Sequence, residues 1–210
     1  GFGSSSTAIV AGLVAANCLS GNTLSKNEIV QLATEIEGHP DNVAPAILGG
    51  VTISYVDDGK AKSLKFVPLK PFKLVAIVPD MPLATSLARK AIPKAVPHQD
   101  AVFNTSRAAL LVGAMLTGEY QYLGSGLCDR LHQPYRAHLI PGMEAAFKAA
   151  IIAGAYNAII SGAGSTLMAY VPIDVSFDVV GQAMCHALEE HGLHSVYHIL
   201  DIDTDGAIVL

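Results

Sequence analysis

Several things are missing from this sequence, and each absence removes a class of function. No stretch approaches the eighteen or so consecutive apolar residues of a membrane span; the longest candidates break at Asn17 and Lys148. Positive charge is scarce, with 13 Lys+Arg against 18 Asp+Glu and a formal net charge of −5. No basic cluster stands out, so nucleic acid and an anionic membrane surface are poor partners. Only three cysteines occur, Cys18, Cys128 and Cys185, far apart and without a Cys-x-x-Cys. That count reads as buried thiols in a reducing compartment, which points to the cytoplasm. No basic n-region opens the chain, so no signal peptide is expected. Neither internal repeats nor low-complexity tracts are present. Two familiar phosphate signatures are also missing: no Gly-Lys-Ser/Thr follows the glycine-rich opening, and the third glycine of the dinucleotide fingerprint is absent.

What is present is apolar and alanine-rich: 51% hydrophobic residues and a mean hydropathy of +0.41 over 210 residues. That length suffices for one large domain or two small ones. The most informative stretch comes first. Gly1-Phe2-Gly3-Ser4-Ser5-Ser6-Thr7 runs directly into an apolar helix expected over 7–19. Glycine lets backbone approach a ligand closely, and a helix start directs free N–H groups and positive dipole at it, which suits phosphate. A Gly/Ser linker or a plain N-cap has the same composition. A loop of this kind normally follows a strand, so the natural protein is expected to carry a segment before Gly1.

The pattern beyond it predicts an α+β fold. Ser25 to Glu28 is a capping box opening a helix to about Glu37. A loop at 38–42 leads into a short helix closed by Gly49-Gly50. A hairpin follows, Val51 to Val56 and 63–67, turning at Asp57-Asp58-Gly59. Pro68 and Pro71 mark a boundary, giving domains at 1–70 and 71–210. The second half reads as a strand at 73–78, helices at 84–91 and 100–116, irregular helix at 120–132 and a helix at 143–154. Strands at 158–160 and 166–171, a helix at 175–191 and strands at 195–201 and 207–210 complete it. This order implies helices on one side of a mostly antiparallel sheet.

Candidate chemistry gathers in a few places. His39-Pro40-Asp41-Asn42 concentrates an imidazole, a carboxylate and an amide on one turn, able to orient a small polar substrate; helix capping by Asp41 explains it equally well. Glu35 and Glu37 lie at a helix C-terminus, where the dipole disfavours carboxylates. One of them would suffice for Mg²⁺ held largely by substrate phosphates and water. Thr85 and Arg89 share a helix face, and Arg136 follows Pro-Tyr. Two arginines can clamp a carboxylate or phosphate, although a surface salt bridge is the commoner use of each. Ser161 to Thr166 is a second glycine loop, either a turn or a close approach to a ligand. His191, His194 and His198 lack the helical spacing of a zinc pair and read better as a solvated helix end.

Together these pieces resemble the GHMP kinase superfamily and, within it, the homoserine kinase branch. The opening is similar to that superfamily's Gly-Leu-Gly-Ser-Ser-Ala loop, with Phe2 and Ser6 replacing Leu and Ala. Gly162-Ala163-Gly164-Ser165-Thr166 is similar to its C-terminal glycine motif, with Ser165 where proline is usual. His39 to Ala46, Asn104 to Leu111 and Tyr135 to Gly142 resemble runs that mark the branch.

The resemblance implies a two-domain GHMP kinase fold. Its first domain is ribosomal-protein-S5-like and lacks its start here; its second is a ferredoxin-like α/β sandwich. It implies ATP-dependent phosphorylation of the L-homoserine hydroxyl to O-phospho-L-homoserine in threonine biosynthesis, with Mg²⁺. Gly1, Phe2, Gly3, Ser4, Ser5 and Ser6 would wrap the ATP phosphates, and Ser5 and Glu35 would hold the metal, with Glu37 as the alternative carboxylate. His39, Asp41 and Asn42 would bind homoserine, Asp41 at its ammonium and Asn42 near its hydroxyl. Thr85, Arg89 and Arg136 would line the site, the arginines on the substrate carboxylate, and Gly162 would lie in the loop closing over it. Ser5, Glu35, Asn42 and Arg89 are the residues expected to act in catalysis. A mevalonate- or sugar-type superfamily kinase, or a non-catalytic ligand binder on the same fold, remain the alternatives, and the residues leave a homodimer open.

Overall fold

The hydroxyl residues of the opening do not form a free loop: they are the first turn of a helix. In a computed structural model describing residues 3–209, α1 spans Ser4–Leu19, three residues earlier than its apolar run suggests. Gly1 and Phe2, assigned to the phosphate loop, lie outside the described residues. The chain forms two compact units, Gly3–Pro68 together with residues 202–209, and Leu69–Asp201. The sequence had assigned the last segment to the second unit.

In the first unit α1 is followed by α2 (Lys26–Glu37), α3 (Val43–Leu48) and a hairpin of β1 (Val51–Asp57) and β2 (Lys60–Phe66). The capping box at α2 forms as expected: Glu28 N–H donates to Ser25 Oγ, and the Glu28 carboxylate accepts from Ser25 N–H at 2.8 Å. The hairpin pairs Asp57 with Lys60, so Asp58 and Gly59, at φ 48° and 72°, make a two-residue turn that starts β2 at Lys60. Val10, Ile29, Val30, Ala33, Val43, Ala44 and Ile47 form the core.

Residues 207–210 were expected to pair as a strand. None forms among those described; the segment instead crosses close to α3. Gly50 N–H donates to Asp203 O at 2.7 Å, and Lys65 Nζ reaches Leu48 O and Thr204 O at 2.6 Å each. Gly206, at φ 70°, passes so near the Leu48–Gly49 backbone that a Cβ there would overlap it. Asp203 Oδ1 accepts from Asp205 N–H at 2.8 Å, closing a local turn that competes with strand extension.

The second unit begins with β3 (Lys73–Pro79), α4 (Thr85–Lys90) and α5 (His98–Thr117). A 3₁₀ turn at Tyr120–Tyr122, α6 (Leu123–Gly126), α7 (Gln133–Arg136) and a 3₁₀ turn at Ala137–Leu139 follow. Then come α8 (Met143–Ile152), β4 (Asn157–Ile160), β5 (Leu167–Val171), α9 (Phe177–Glu189) and β6 (Ser195–Leu200). The sheet order is β4-β5-β3-β6, antiparallel throughout. Inward positions of β3 and β5 (Val75, Ile77, Leu167, Ala169, Val171) meet Ala146 and Ala150 of α8 and Val180, Met184 and Leu188 of α9. Leu74 and Ala76 alternate to the opposite face, where Phe72, Tyr120, Tyr156 and Tyr170 form an aromatic cluster.

Gly181 shows how tightly α9 sits on this sheet. A Cβ there would lie 2.5–2.9 Å from the Tyr197 ring. The Tyr197 hydroxyl is itself held by Asp178 at 2.8 Å, so the ring has little room to retreat. Helix propensity favours alanine by up to about 1 kcal/mol, but overpacking costs about 1–3 kcal/mol. Gly181→Ala should therefore lower stability by about 1–2 kcal/mol in denaturant titration; a stabilised variant would show that α9 can shift freely.

Candidate active site

The first unit contributes an open helix start. Gly3 is the N-cap of α1 at φ 69° and ψ 35°; no side chain caps this end and its first turn carries no acidic residue. Among the described residues, Thr7 N–H is the first to find a helical acceptor, Gly3 O at 2.9 Å. The amides of Ser4, Ser5 and Ser6 thus precede the helical ladder and, with the dipole, favour an anion.

Glu35 and Glu37 are two positions apart, which on a helix turns them about 200° from each other. Glu37 faces α1: its Oε1 accepts from Ser5 Oγ at 3.3 Å and from Ser6 Oγ at 3.0 Å. Glu35 faces the hairpin, taking Gln31 Nε2 at 2.7 Å, while that Gln31 also accepts from Ala61 N–H and donates to Gly59 O. Of the two carboxylates, the structure joins Glu37 to the serines. The sequence placed Glu35 beside Ser5, with Glu37 as the alternative; the hydrogen bonds join the alternative to the serines.

Gly38, at φ 90°, ends α2 and turns the chain into His39-Pro40-Asp41-Asn42. His39 Nδ1 lies 2.5 Å from Asp41 Oδ1, so the carboxylate orients the imidazole instead of capping α3. Asn42 occupies the N-cap position, yet its side chain makes no capping bond. The capping account of this turn therefore does not hold. Asp41 and Asn42 are solvent-exposed and His39 is half-buried.

In the second unit Arg136 draws three of the expected residues together. Its Nε donates to Ala88 O in α4 at 3.1 Å and its Nη1 to Gly162 O at 3.0 Å. Thr85 and Arg89 lie on that same short helix, one turn apart and exposed. Burial lowers the Arg136 guanidinium from its ordinary value; the Asp129 charge raises it and the nearby Arg89 charge lowers it again. Two guanidiniums close enough to perturb each other favour an anion between them. The glycine loop is fixed by Ser161 N–H to Thr166 O at 2.9 Å and by Ser165 Oγ to Met81 O at 3.0 Å. Ser165 thus anchors the loop at the position where proline was expected.

Sequence reading missed Asp129, Asn104 and Gln133. The region 120–132, read as irregular helix, is helical only to Gly126 and then becomes a loop around the Asp129 carboxylate. That carboxylate accepts from the amides of Leu131, His132 and Gln133 and from Asn104 Nδ2. Burial pushes the Asp129 carboxyl up, but bonds from the His132 and Asn104 side chains and the Gln133 and His132 amides outweigh it and hold it far below the usual range. The available signal was an acidic residue four positions before Gln133-Pro134, since proline favours a helix's first turn.

Among the described residues no group of three or more His, Cys, Asp or Glu could hold a metal. One carboxylate and a hydroxyl fit a hard cation that keeps phosphate and water ligands, and Glu37 with Ser5 supplies that set. Among the described residues no helix is long and apolar enough to cross a membrane.

The chain is similar to known proteins along its whole length. Residues 1–50 match the GHMP kinases N terminal domain and residues 108–190 the GHMP kinases C terminal domain. The chain is 45% identical over 210 residues to homoserine kinase of Desulfitobacterium hafniense, covering all of this chain and 70% of that protein. It is 46% identical over 208 residues to homoserine kinase of Nostoc punctiforme, covering 99% of this chain and 68% of that one. The crystal structure of homoserine kinase from Cytophaga hutchinsonii superposes with a TM-score of 0.89 at 28% identity, over 96% of this chain and 65% of that one. The chain thus spans about two thirds of the length of these relatives. It belongs to the homoserine kinase family of the GHMP kinases.

Proposed function

We propose that this chain carries the phosphate- and substrate-binding residues for ATP-dependent phosphorylation of the L-homoserine side-chain hydroxyl, giving O-phospho-L-homoserine for threonine biosynthesis in the cytoplasm. The observation that carries this reading is identity running end to end with proteins named homoserine kinase, 45% over 210 residues. The side chains present suit each part of the reaction.

Phosphoryl transfer is mainly positioning and charge stabilisation through a loose transition state. The amides of Ser4, Ser5 and Ser6 at the α1 dipole would stabilise charge on the ATP phosphates. Ser5 and Glu37 would hold Mg²⁺, which when bound neutralises charge on the β- and γ-phosphates. Asp41, which lies against His39, would take the homoserine ammonium, and Asn42 would orient its hydroxyl. Arg136 and Arg89 would take the carboxylate, with Thr85 beside them. No lysine is paired with Asp41 on its turn, and the carboxylate is committed to charge pairing. The hydroxyl proton would therefore pass directly to the transferred phosphoryl group.

The test is ADP release by the full-length natural protein, measured with L-homoserine, mevalonate, galactose or no acceptor. Release should depend on homoserine and on Mg²⁺. Equal turnover with mevalonate or galactose, or none above the acceptor-free rate, would overturn the proposal.

A further inference from the structure

The four-residue helix α7 is too short to be stable by itself. Its two inward side chains nevertheless grip the glycine loop from both sides. Gln133 Oε1 accepts from Ile160 N–H at 2.9 Å, immediately before the loop, and Arg136 Nη1 donates to Gly162 O within it. Residues 133 and 136 are three apart and so share one helix face. Something outside α7 must fix that face, and Asp129 does.

Both carboxylate oxygens of Asp129 accept two bonds. Oδ1 takes Asn104 Nδ2 at 2.6 Å and Leu131 N–H at 3.1 Å; Oδ2 takes His132 N–H at 2.8 Å and Gln133 N–H at 2.6 Å. Asn104 completes the tie, since its Oδ1 accepts from Arg130 N–H at 2.8 Å. The long helix α5, which carries Asn104, thereby anchors the start of α7. His132 Nδ1 also lies 3.4 Å from Asp129 Oδ1.

We propose that Asp129 is a positioning residue for Arg136: anchored by Asn104 on α5, its carboxylate fixes the α7 turn so that Gln133 and Arg136 hold the 161–165 loop in its homoserine-binding form. This rests on the functional reading above. Asp129 itself touches no substrate in this scheme.

The test uses the full-length natural protein and compares KM for homoserine, KM for ATP and kcat. Asp129→Asn cannot satisfy the site in either amide orientation, because its NH₂ then faces two donors. KM for homoserine should rise about tenfold, with KM for ATP within about twofold. The exchange Asn104→Asp with Asp129→Asn restores a donor facing an acceptor and leaves an oxygen for His132 and Gln133; of the four bonds only the longest, from Leu131 N–H at 3.1 Å, stays unmade. It should bring KM for homoserine back to within about threefold of the starting value. A merely structural role predicts a lower melting temperature and a lower kcat with unchanged KM, and no rescue; that result would overturn the proposal. If Asp129→Asn does not accumulate, Asn104→Ala carries the same test, with KM for homoserine up about threefold and an unchanged KM counting against the proposal. Absence of homoserine-dependent turnover in the unsubstituted protein would overturn the functional reading and this proposal with it.

Discussion

Glu37→Gln should reduce kcat by about 10²–10³-fold, whereas Glu35→Gln should leave it within about threefold of the starting value. Glutamine keeps an oxygen to accept from Ser5 and Ser6, so the packing of α1 on α2 survives and the fold should melt almost unchanged. What is lost is the negative charge beside the uncapped start of α1. A cation held by one carboxylate supplies several kcal/mol of charge stabilisation, which sets the size of the effect. Raising Mg²⁺ should recover part of the activity of Glu37→Gln and do nothing for Glu35→Gln. The reverse ranking, with Glu35→Gln the damaged variant, would show that the hairpin-facing carboxylate is the functional one despite its bond to Gln31.

Arg136→Lys is expected to lower kcat/KM for homoserine by about 10²-fold, mostly through KM. A guanidinium reaches Ala88 O and Gly162 O with two nitrogens and has further N–H groups to offer. A lysine ammonium is a single point and cannot span both carbonyls while facing a carboxylate. Kinetics with 3-aminopropanol, which keeps the amine and hydroxyl but has no carboxylate, separates two roles. If Arg136 meets the substrate carboxylate, Arg136→Lys should hardly change the already low rate with the amino alcohol. An equal loss with both acceptors would limit Arg136 to organising the loop.

These two residues also mark how far a sequence pattern reaches. Arg136 could be singled out because arginines are few and this one sits in a distinctive Tyr-Arg stretch. Its bonds to Ala88 and Gly162 bridge 48 and 26 residues, separations that carry no local pattern. The Ser25–Glu28 capping box was legible in full because donor and acceptor lie three residues apart. The choice between Glu35 and Glu37 was not, since it depends on which face of α2 packs against α1. Asp129 was missed for a similar reason: its bond from Asn104 spans 25 residues. At the C-terminal end, Ile208 and Val209 suggest a strand by composition, but the Asp203 turn and the close passage of Gly206 past Gly49 decide otherwise.

That last segment has a consequence for how the chain is wired. Because residues 202–209 pack with Gly3–Pro68, the polypeptide leaves the first unit after Pro68 and returns to it after Asp201. The second unit is thus an insertion, entered and left within one chain, and no single cut separates the two. A chain stopped at Pro68 would strand Lys26 and Lys65, whose ammonium groups rest on the carbonyls of Asp205 and Thr204. The start of α1 and the last residues described therefore share a fate during synthesis: the first unit can complete its packing only after the whole of the second has been made.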